Sequence, residues 1–311
     1  MGKIPVLLDT DIGSDIDDAV ALAYLLRKPE CELLGVTTVT GDVQKRAALV
    51  EAVCHAAGRR DVPIHCGRRE VLVDGPGQPN VPQFEAIAAG HPRLDRPEND
   101  AVKFLQETIR RRPGEITLLT IGPMSNAALL LALDPEIAGK LKAIVSMVGS
   151  FYMGENAEWI ARVDPIATAM VYRAERCPHV SVGLDVTLQC RMAADEVRRR
   201  FVGEPLATVA KMAETWFKGA SELIFHDPLA AALIFRPELC TYESGRVEVD
   251  YAPEAAQRGR TRLVGAATVD LIRPGGTPSP GSQEKEGMDR VAKTVDAAAF
   301  FEEYFSVFGH G

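Results

Sequence analysis

Apolar runs of strand length alternate with amphipathic stretches of helix length along most of the chain. Residues 5–9 (PVLLD) read as a buried strand and 16–27 as an amphipathic helix. A strand at 32–40 and a helix at 43–58 repeat the pair, followed by a short strand at 62–67. Further on come a helix at 101–111, a strand at 115–122 and a short helix at 125–133. Strands at 142–149 and 179–185 bracket a helix near 165–175. Strands apolar on both faces, separated by helices, predict an α/β fold: an open, mostly parallel sheet with helices on both faces. The stretches 68–98 and 273–287, rich in Gly and Pro, lack periodicity and read as surface loops. A loop as long as the first is often functional. Residues 188–260 read as more helical, a cap on the sheet. No linker precedes them and no repeat appears, so one domain over 1–311 is expected.

Composition narrows the class. With 311 residues and 46% hydrophobic content, the chain can bury one large core. A formal charge of −8 argues against a nucleic-acid groove or an anionic membrane surface. Six cysteines without a CxxC pair read as reduced thiols rather than a zinc site or a disulfide frame. The first residues run straight into a strand, and no apolar run is long enough to cross a bilayer. A cytoplasmic protein is expected.

The chemistry concentrates in DTDIGSDIDDA. Asp9, Asp11, Asp15, Asp17 and Asp18 fall within ten residues. Asp9 and Asp11 close the first strand, at the sheet end where open α/β folds gather ligands. Asp17 and Asp18 open the following helix, where the dipole favours negative charge. Capping and solvation account for one or two of these carboxylates. A hard divalent cation accounts for more, since calcium takes six to eight oxygen ligands. An EF-hand loop fits poorly, because its final Glu is missing.

This segment resembles the amino-terminal signature of the inosine–uridine-preferring nucleoside hydrolases. GVTTVTGD (35–42), GPMSNAALLL (122–131), AEWIARVDP (157–165) and HDPLAAAL (226–233) resemble four further motifs of that family, in order. The ending VAKTVDAAAFFEEYF (291–305) is similar to its terminal strand and helix. The resemblance implies Ca²⁺-dependent hydrolysis of the N-glycosidic bond of ribonucleosides, in purine and pyrimidine salvage, by a homodimer or homotetramer. Its partner would be a small-molecule nucleoside, with no nucleic acid and no membrane. Carried over by motif, Asp11 binds calcium and acts as general base. Asp18 is a second carboxylate ligand, Ser125 supplies a backbone carbonyl, and Asp227 completes the protein ligands and touches the ribose. Asp17 holds ribose hydroxyls, while Glu158 and Asn156 meet the 5′ end of the sugar.

The residue chemistry agrees. Water must attack the anomeric carbon, and a carboxylate beside a cation can deprotonate it. The sugar gains oxocarbenium character, which neighbouring carboxylates stabilise. The departing base needs a proton, and His226 can give one near neutral pH. His226 abuts Asp227 and opens an apolar helix, whereas His55, His65, His91, His179 and His310 lack such context and read as structural. Trp159, beside Glu158, can stack on sugar or base. Asp42 stands where the family carries an Asn after Gly, and Ile160 where it carries an Asn that bonds a ribose hydroxyl. An apolar residue there predicts weakened ribonucleoside hydrolysis, restored by Ile160→Asn. The first loop is longer than the family's compact form, so Asp15 can take a role given to Asp17 or Asp18. Two alternatives stay open. One is a haloacid-dehalogenase-like, Mg²⁺-dependent phosphatase, against which Gly13 stands where a Thr or Val is wanted. The other is a nucleoside-binding homologue without turnover.

Overall fold

The computed structural model describes residues 2–90, 92–154, 157–174, 177–254, 257–269 and 289–309. Its centre is strand β1 (Ile4–Thr10), buried on both faces. The chain crosses through helix α1 (Asp17–Arg27) to the parallel strand β2 (Cys31–Thr38), then through α2 (Val43–Ala56) to β3 (Ile64–Cys66). It then returns past β1 through α3 (Ala101–Arg111) to β4 (Thr117–Thr120), which pairs with the other edge of β1. Helix α4 (Ser125–Leu133) leads to β5 (Ala143–Met147). Two helices, α5 (Trp159–Val163) and α6 (Pro165–Tyr172), lead on to β6 (His179–Val182).

The strands predicted at 5–9, 32–40, 115–122 and 179–185 are all present, with ends shifted by a few residues. The helices at 101–111 and 125–133 match their predicted bounds.

The region 188–260 departs from the helical expectation. After α7 (Leu184–Thr187) it forms β7 (Arg191–Ala193), α8 (Ala194–Arg200), α9 (Leu206–Trp216) and β8 (Glu222–Ile224), with β7 and β8 paired as a separate ribbon. Helix α10 (His226–Leu233) follows, and then β9 (Cys240–Val249) joins the main sheet. In β9 the residues alternate between buried and solvent-facing, the pattern of a strand with one wet face. Strands β10 (Thr261–Val269) and β11 (Asp289–Val295) complete a nine-stranded sheet, and α11 (Ala297–Ser306) closes the chain. The order is β10-β9-β11-β6-β5-β4-β1-β2-β3, with only β9 antiparallel to its neighbours. The predicted loop at 273–287 lies outside the described residues. Loop 68–98 contains two short 3₁₀ turns, at Pro82–Ala86 and Ala88–Gly90.

The crossovers leave β1 on one side and return on the other, so strand order reverses between β1 and β4. Ligands bind at such a switch point, beyond the carboxyl ends of the strands. Asp9 is paired in register with Thr37 on β2 and Thr120 on β4, and places the next residues in that crevice. Helix α1 (DDAVALAYLLR) is buried along its length except for Arg27, and packs against α10. Tyr24 of α1 donates to Glu303 of α11 at 2.7 Å, and Lys28 bridges the same carboxylate at 2.5 Å. No helix among the described residues is long and apolar enough to cross a membrane.

Candidate active site

Beyond the end of β1 the chain turns through residues 11–16 and enters α1 at Asp17 and Asp18. Both carboxylates are buried, as is Asp227 in the first turn of α10. One oxygen from each of Asp17, Asp18 and Asp227 lies within 4.8 Å of the other two. The peptide N–H of Asp227 donates to Asp17 Oδ2 at 3.1 Å, and the Thr10 hydroxyl donates to Asp18 Oδ1. Burial and mutual repulsion push all three carboxyls well above the ordinary value. At an effective dielectric near 20, two full charges 4.8 Å apart cost about 3.5 kcal/mol. Such pairs are relieved either by taking up protons or by a compensating cation. A set of oxygen donors only, converging and buried, fits a hard divalent ion of the calcium type.

Asp11 lies beside this trio and not within it, although its charge acts on Asp18 and Asp227. Burial lifts the Asp11 carboxyl to about 6, with Arg46 opposing the rise. Asp15 is less buried, accepts from the Ile16 N–H at 2.6 Å and also sits near 6, raised by burial. Asp9 is fully buried and its Oδ1 accepts from the Thr37 hydroxyl (2.6 Å) and the Asn126 amide (2.8 Å), while its Oδ2 has no partner among the described residues. Burial raises its carboxyl to about 7. Gly122, after β4, permits this crowding: a Cβ there would lie 2.7 Å from the Asp11 nitrogen.

Other predicted residues are placed as follows. Ser125 turns its hydroxyl away to Asp164 at 2.7 Å, which leaves only its backbone for a ligand role. Glu158 is buried and caps α5, accepting from the N–H groups of Ile160 (2.7 Å), Ala161 (3.1 Å) and Gly149 (3.1 Å). Burial holds its carboxyl near 7 in spite of these donors. Ile160 is buried and packs within the apolar core. Trp159 is 39% exposed, with the Arg162 guanidinium 4.6 Å from its ring centre. Asp42 caps α2 through the Lys45 N–H at 3.2 Å and pairs with the Lys45 ammonium. Asn156 lies outside the described residues.

His226 opens α10 beside Asp227, half-buried, with Nδ1 2.7 Å from the Thr187 hydroxyl. Burial, helped by the nearby Arg191 charge, pushes its pKa down to about 4. The ring is therefore neutral at physiological pH, which corrects the expectation of a histidine titrating near neutrality. An open cleft of about 320 Å³ has both Asp15 and His226 in its wall, together with Trp216 and the small residues Gly219, Ala220 and Ser221. The Trp216 indole N–H is fixed on the Glu222 carbonyl at 3.1 Å.

The inosine-uridine preferring nucleoside hydrolase family matches residues 6–302. The chain belongs to this family. It is a family of hydrolases acting on N-glycosyl compounds, and membership sets aside the phosphatase alternative. The chain is 32% identical to the pyrimidine-specific ribonucleoside hydrolase RihA of an Enterobacter species, over 88% of this chain and 95% of that one. It is 31% identical to uridine nucleosidase 1 of Arabidopsis thaliana, over 79% and 78% respectively. The purine-preferring ribonucleoside hydrolase of Gardnerella vaginalis superimposes with a TM-score of 0.76 at 26% identity, covering 97% of each chain. A plant nucleoside hydrolase, PpNRh1, gives 0.80 at 23% identity over 99% of each, a likeness of fold.

Against the motif assignments of this nucleoside hydrolase, the structure adds Asp17 to the carboxylate set and brings in Arg46, Asn126, Thr187 and Trp216. Arg46 had a sequence signal: it falls on the apolar face of α2 with Leu49, Val50 and Val53. Thr187 had none, because its partner is 39 residues away.

Proposed function

We propose that the chain hydrolyses the N-glycosidic bond of ribonucleosides, releasing ribose and free base. The observation that carries this reading is the buried trio Asp17, Asp18 and Asp227 at the sheet's switch point, with Asp11 alongside and His226 at the adjoining cleft. The trio would hold Ca²⁺, and the backbone of Ser125 would add a further oxygen. When bound, such an ion lowers the pKa of water and polarises hydroxyls. Asp11, ionised above about pH 6, takes the proton of the attacking water. The neighbouring carboxylates face the positive charge that grows on the sugar. His226 Nδ1 lies 2.7 Å from the Thr187 hydroxyl; in the tautomer where that hydroxyl donates, the neutral ring keeps its proton on Nε2 and holds it as a hydrogen bond to the negative charge growing on the departing base, which takes its own proton from water. Glu158 acts by fixing α5 to the end of β5 through Gly149. Calcium as the specific ion, a role in salvage, a cytoplasmic location and a homodimer or homotetramer complete the proposal and rest on the family resemblance alone.

The test is a panel of uridine, cytidine, inosine and adenosine assayed for free ribose with Ca²⁺ present. Uridine comes first because the two relatives at about 30% identity are named for uridine and pyrimidine ribonucleosides. Ribose release supports the reading. Nucleoside binding by calorimetry without ribose release from any of them replaces it with a binding protein.

A further inference from the structure

Among the described residues Arg46 is the bulkiest fully buried side chain, and none of its hydrogen bonds to them goes to a carboxylate. Nε donates to the Thr40 carbonyl at 2.7 Å. Nη1 reaches the carbonyls of Asp11 and Ile12 (the latter at 3.0 Å) and the Ser14 hydroxyl at 3.2 Å. Nη2 donates to the Gln78 carbonyl at 2.6 Å. One guanidinium thus grips three separate stretches of backbone: the aspartate turn, the corner after β2 and the long loop 68–98.

We propose that Arg46 is a positioning residue, a clamp that locks the turn Asp11–Ser14 against Gln78 and so sets the place of Asp11 and the carboxylates that follow it. This rests on the reading of those aspartates as the cation-binding and catalytic set. A buried cation bonded only to neutral acceptors is costly unless charge of opposite sign lies close by. Asp11 and Asp18 supply that charge through space. The arrangement is two-sided, because Arg46 in turn opposes part of their repulsion without occupying their oxygens. Only a planar fork with five donors can serve acceptors in these directions, whereas a lysine presents three donors from one atom.

Further bonds make the turn and the loop a single unit. Ser14 donates to the Asn80 carbonyl at 3.0 Å, and the Gln83 N–H donates to the Gly13 carbonyl at 3.2 Å. Gln78 N–H reaches the Thr40 hydroxyl at 3.1 Å. Gly13 has φ +119°, and a Cβ there would come within 2.4 Å of Val81, so the loop lies directly on the turn. The loop also lines the hollow beside the cleft, through Pro82. Arg46 is therefore placed to set the cation site and one wall of that hollow together.

Arg46→Lys and Arg46→Met test this, with Val53→Ala as a control. Val53 is buried on the same helix and makes none of these bonds. Three readouts are compared at a temperature where circular dichroism shows every variant folded: Ca²⁺ affinity by calorimetry, kcat and KM on the best ribonucleoside, and amide exchange of metal-free protein. For Arg46→Lys the expected Ca²⁺ affinity and kcat are each lower by about tenfold or more, with KM changed less than about threefold. Exchange should quicken over 11–14 and 78–83 together. Val53→Ala should lower Tm and leave all three readouts near those of the parent. Parent-like Ca²⁺ affinity and kcat in Arg46→Lys overturns the proposal, and so does a Val53→Ala variant that loses as much as Arg46→Lys. If Arg46→Met does not fold, the lysine variant decides. A parent that releases no ribose overturns the nucleoside reading only, since calcium binding and amide exchange still judge the clamp.

Discussion

Chelation should destabilise the protein in a way that depends on pH with a fixed sign. In metal-free protein, Asp17, Asp18 and Asp227 hold protons that the unfolded chain would release at its ordinary carboxylate value of 3.8. The folded state binds more protons, so stability falls as pH rises above that value, through the region near 6 where Asp11 and Asp15 also ionise. A divalent ion binds the deprotonated trio, so its benefit grows over the same range. With free Ca²⁺ about 100-fold above its dissociation constant, linkage gives roughly 2.7 kcal/mol. An unfolding entropy of about 2.1 cal/mol/K per residue, over 311 residues, converts this to a Tm shift of about 4 °C.

The assay is scanning calorimetry with Ca²⁺ or with chelator at about pH 5 and pH 8; the difference should be larger at the higher pH. Asp18→Asn provides a second arm. It removes a carboxyl that the metal-free fold must keep protonated above its ordinary value while keeping an oxygen for the Thr10 hydroxyl, so the metal-free form should melt higher than the parent. The same variant should lose the Ca²⁺ shift. Equal melting with and without Ca²⁺ at the higher pH, or an Asp18→Asn variant less stable than metal-free parent, would refute the reasoning.

Three further outcomes are expected. His226→Ala should cut kcat on uridine or inosine by roughly 10²–10³, the contribution of one donor aimed at developing charge, and far less on p-nitrophenyl riboside, whose leaving group carries its negative charge unaided; equal losses on both substrates would assign the histidine to sugar placement. Glu158→Ala removes the acceptor of three buried N–H groups, so urea unfolding should show a loss of about 2 kcal/mol or more; an unchanged midpoint would deny the cap. Ile160→Asn should bury an amide in apolar surroundings, cost about 1–3 kcal/mol and leave kcat/KM no better than the parent; a tenfold gain on ribonucleosides would put this side chain at the sugar after all.

Much of the architecture could be read from the chain because the strands of the parallel core are apolar on both faces, a pattern that depends little on distant residues. β9 was hidden for the opposite reason. Its alternating charges in TYESGRVEV reflect one wet face, and alternation of that kind was absorbed into a helical reading of 188–260. At the site, the local motifs singled out Asp11, Asp18, Asp227 and His226, which the fold brings towards one crevice. They did not reveal that Asp17 joins Asp18, because the contact that orients it comes from the Asp227 backbone. The surroundings of Ile160 were not legible, because a motif position carries no information on side-chain direction; Glu158 caps the helix that begins beside it.

The separation of Asp17 and Asp227, 210 positions along the chain, bears on the order of events in folding. Contacts so distant in sequence are paid for in loop closure before they return anything, and they form late. An ion that needs both partners finds no binding site in early, partly folded species. Calcium should therefore leave the refolding rate nearly unchanged and act on the unfolding limb of the chevron, as expected for interactions absent from the transition state. On this account the ion serves as a latch rather than a nucleus. The protein's lifetime in dilute calcium would be set by how often α1 and α10 part, and not by how fast the sheet assembles.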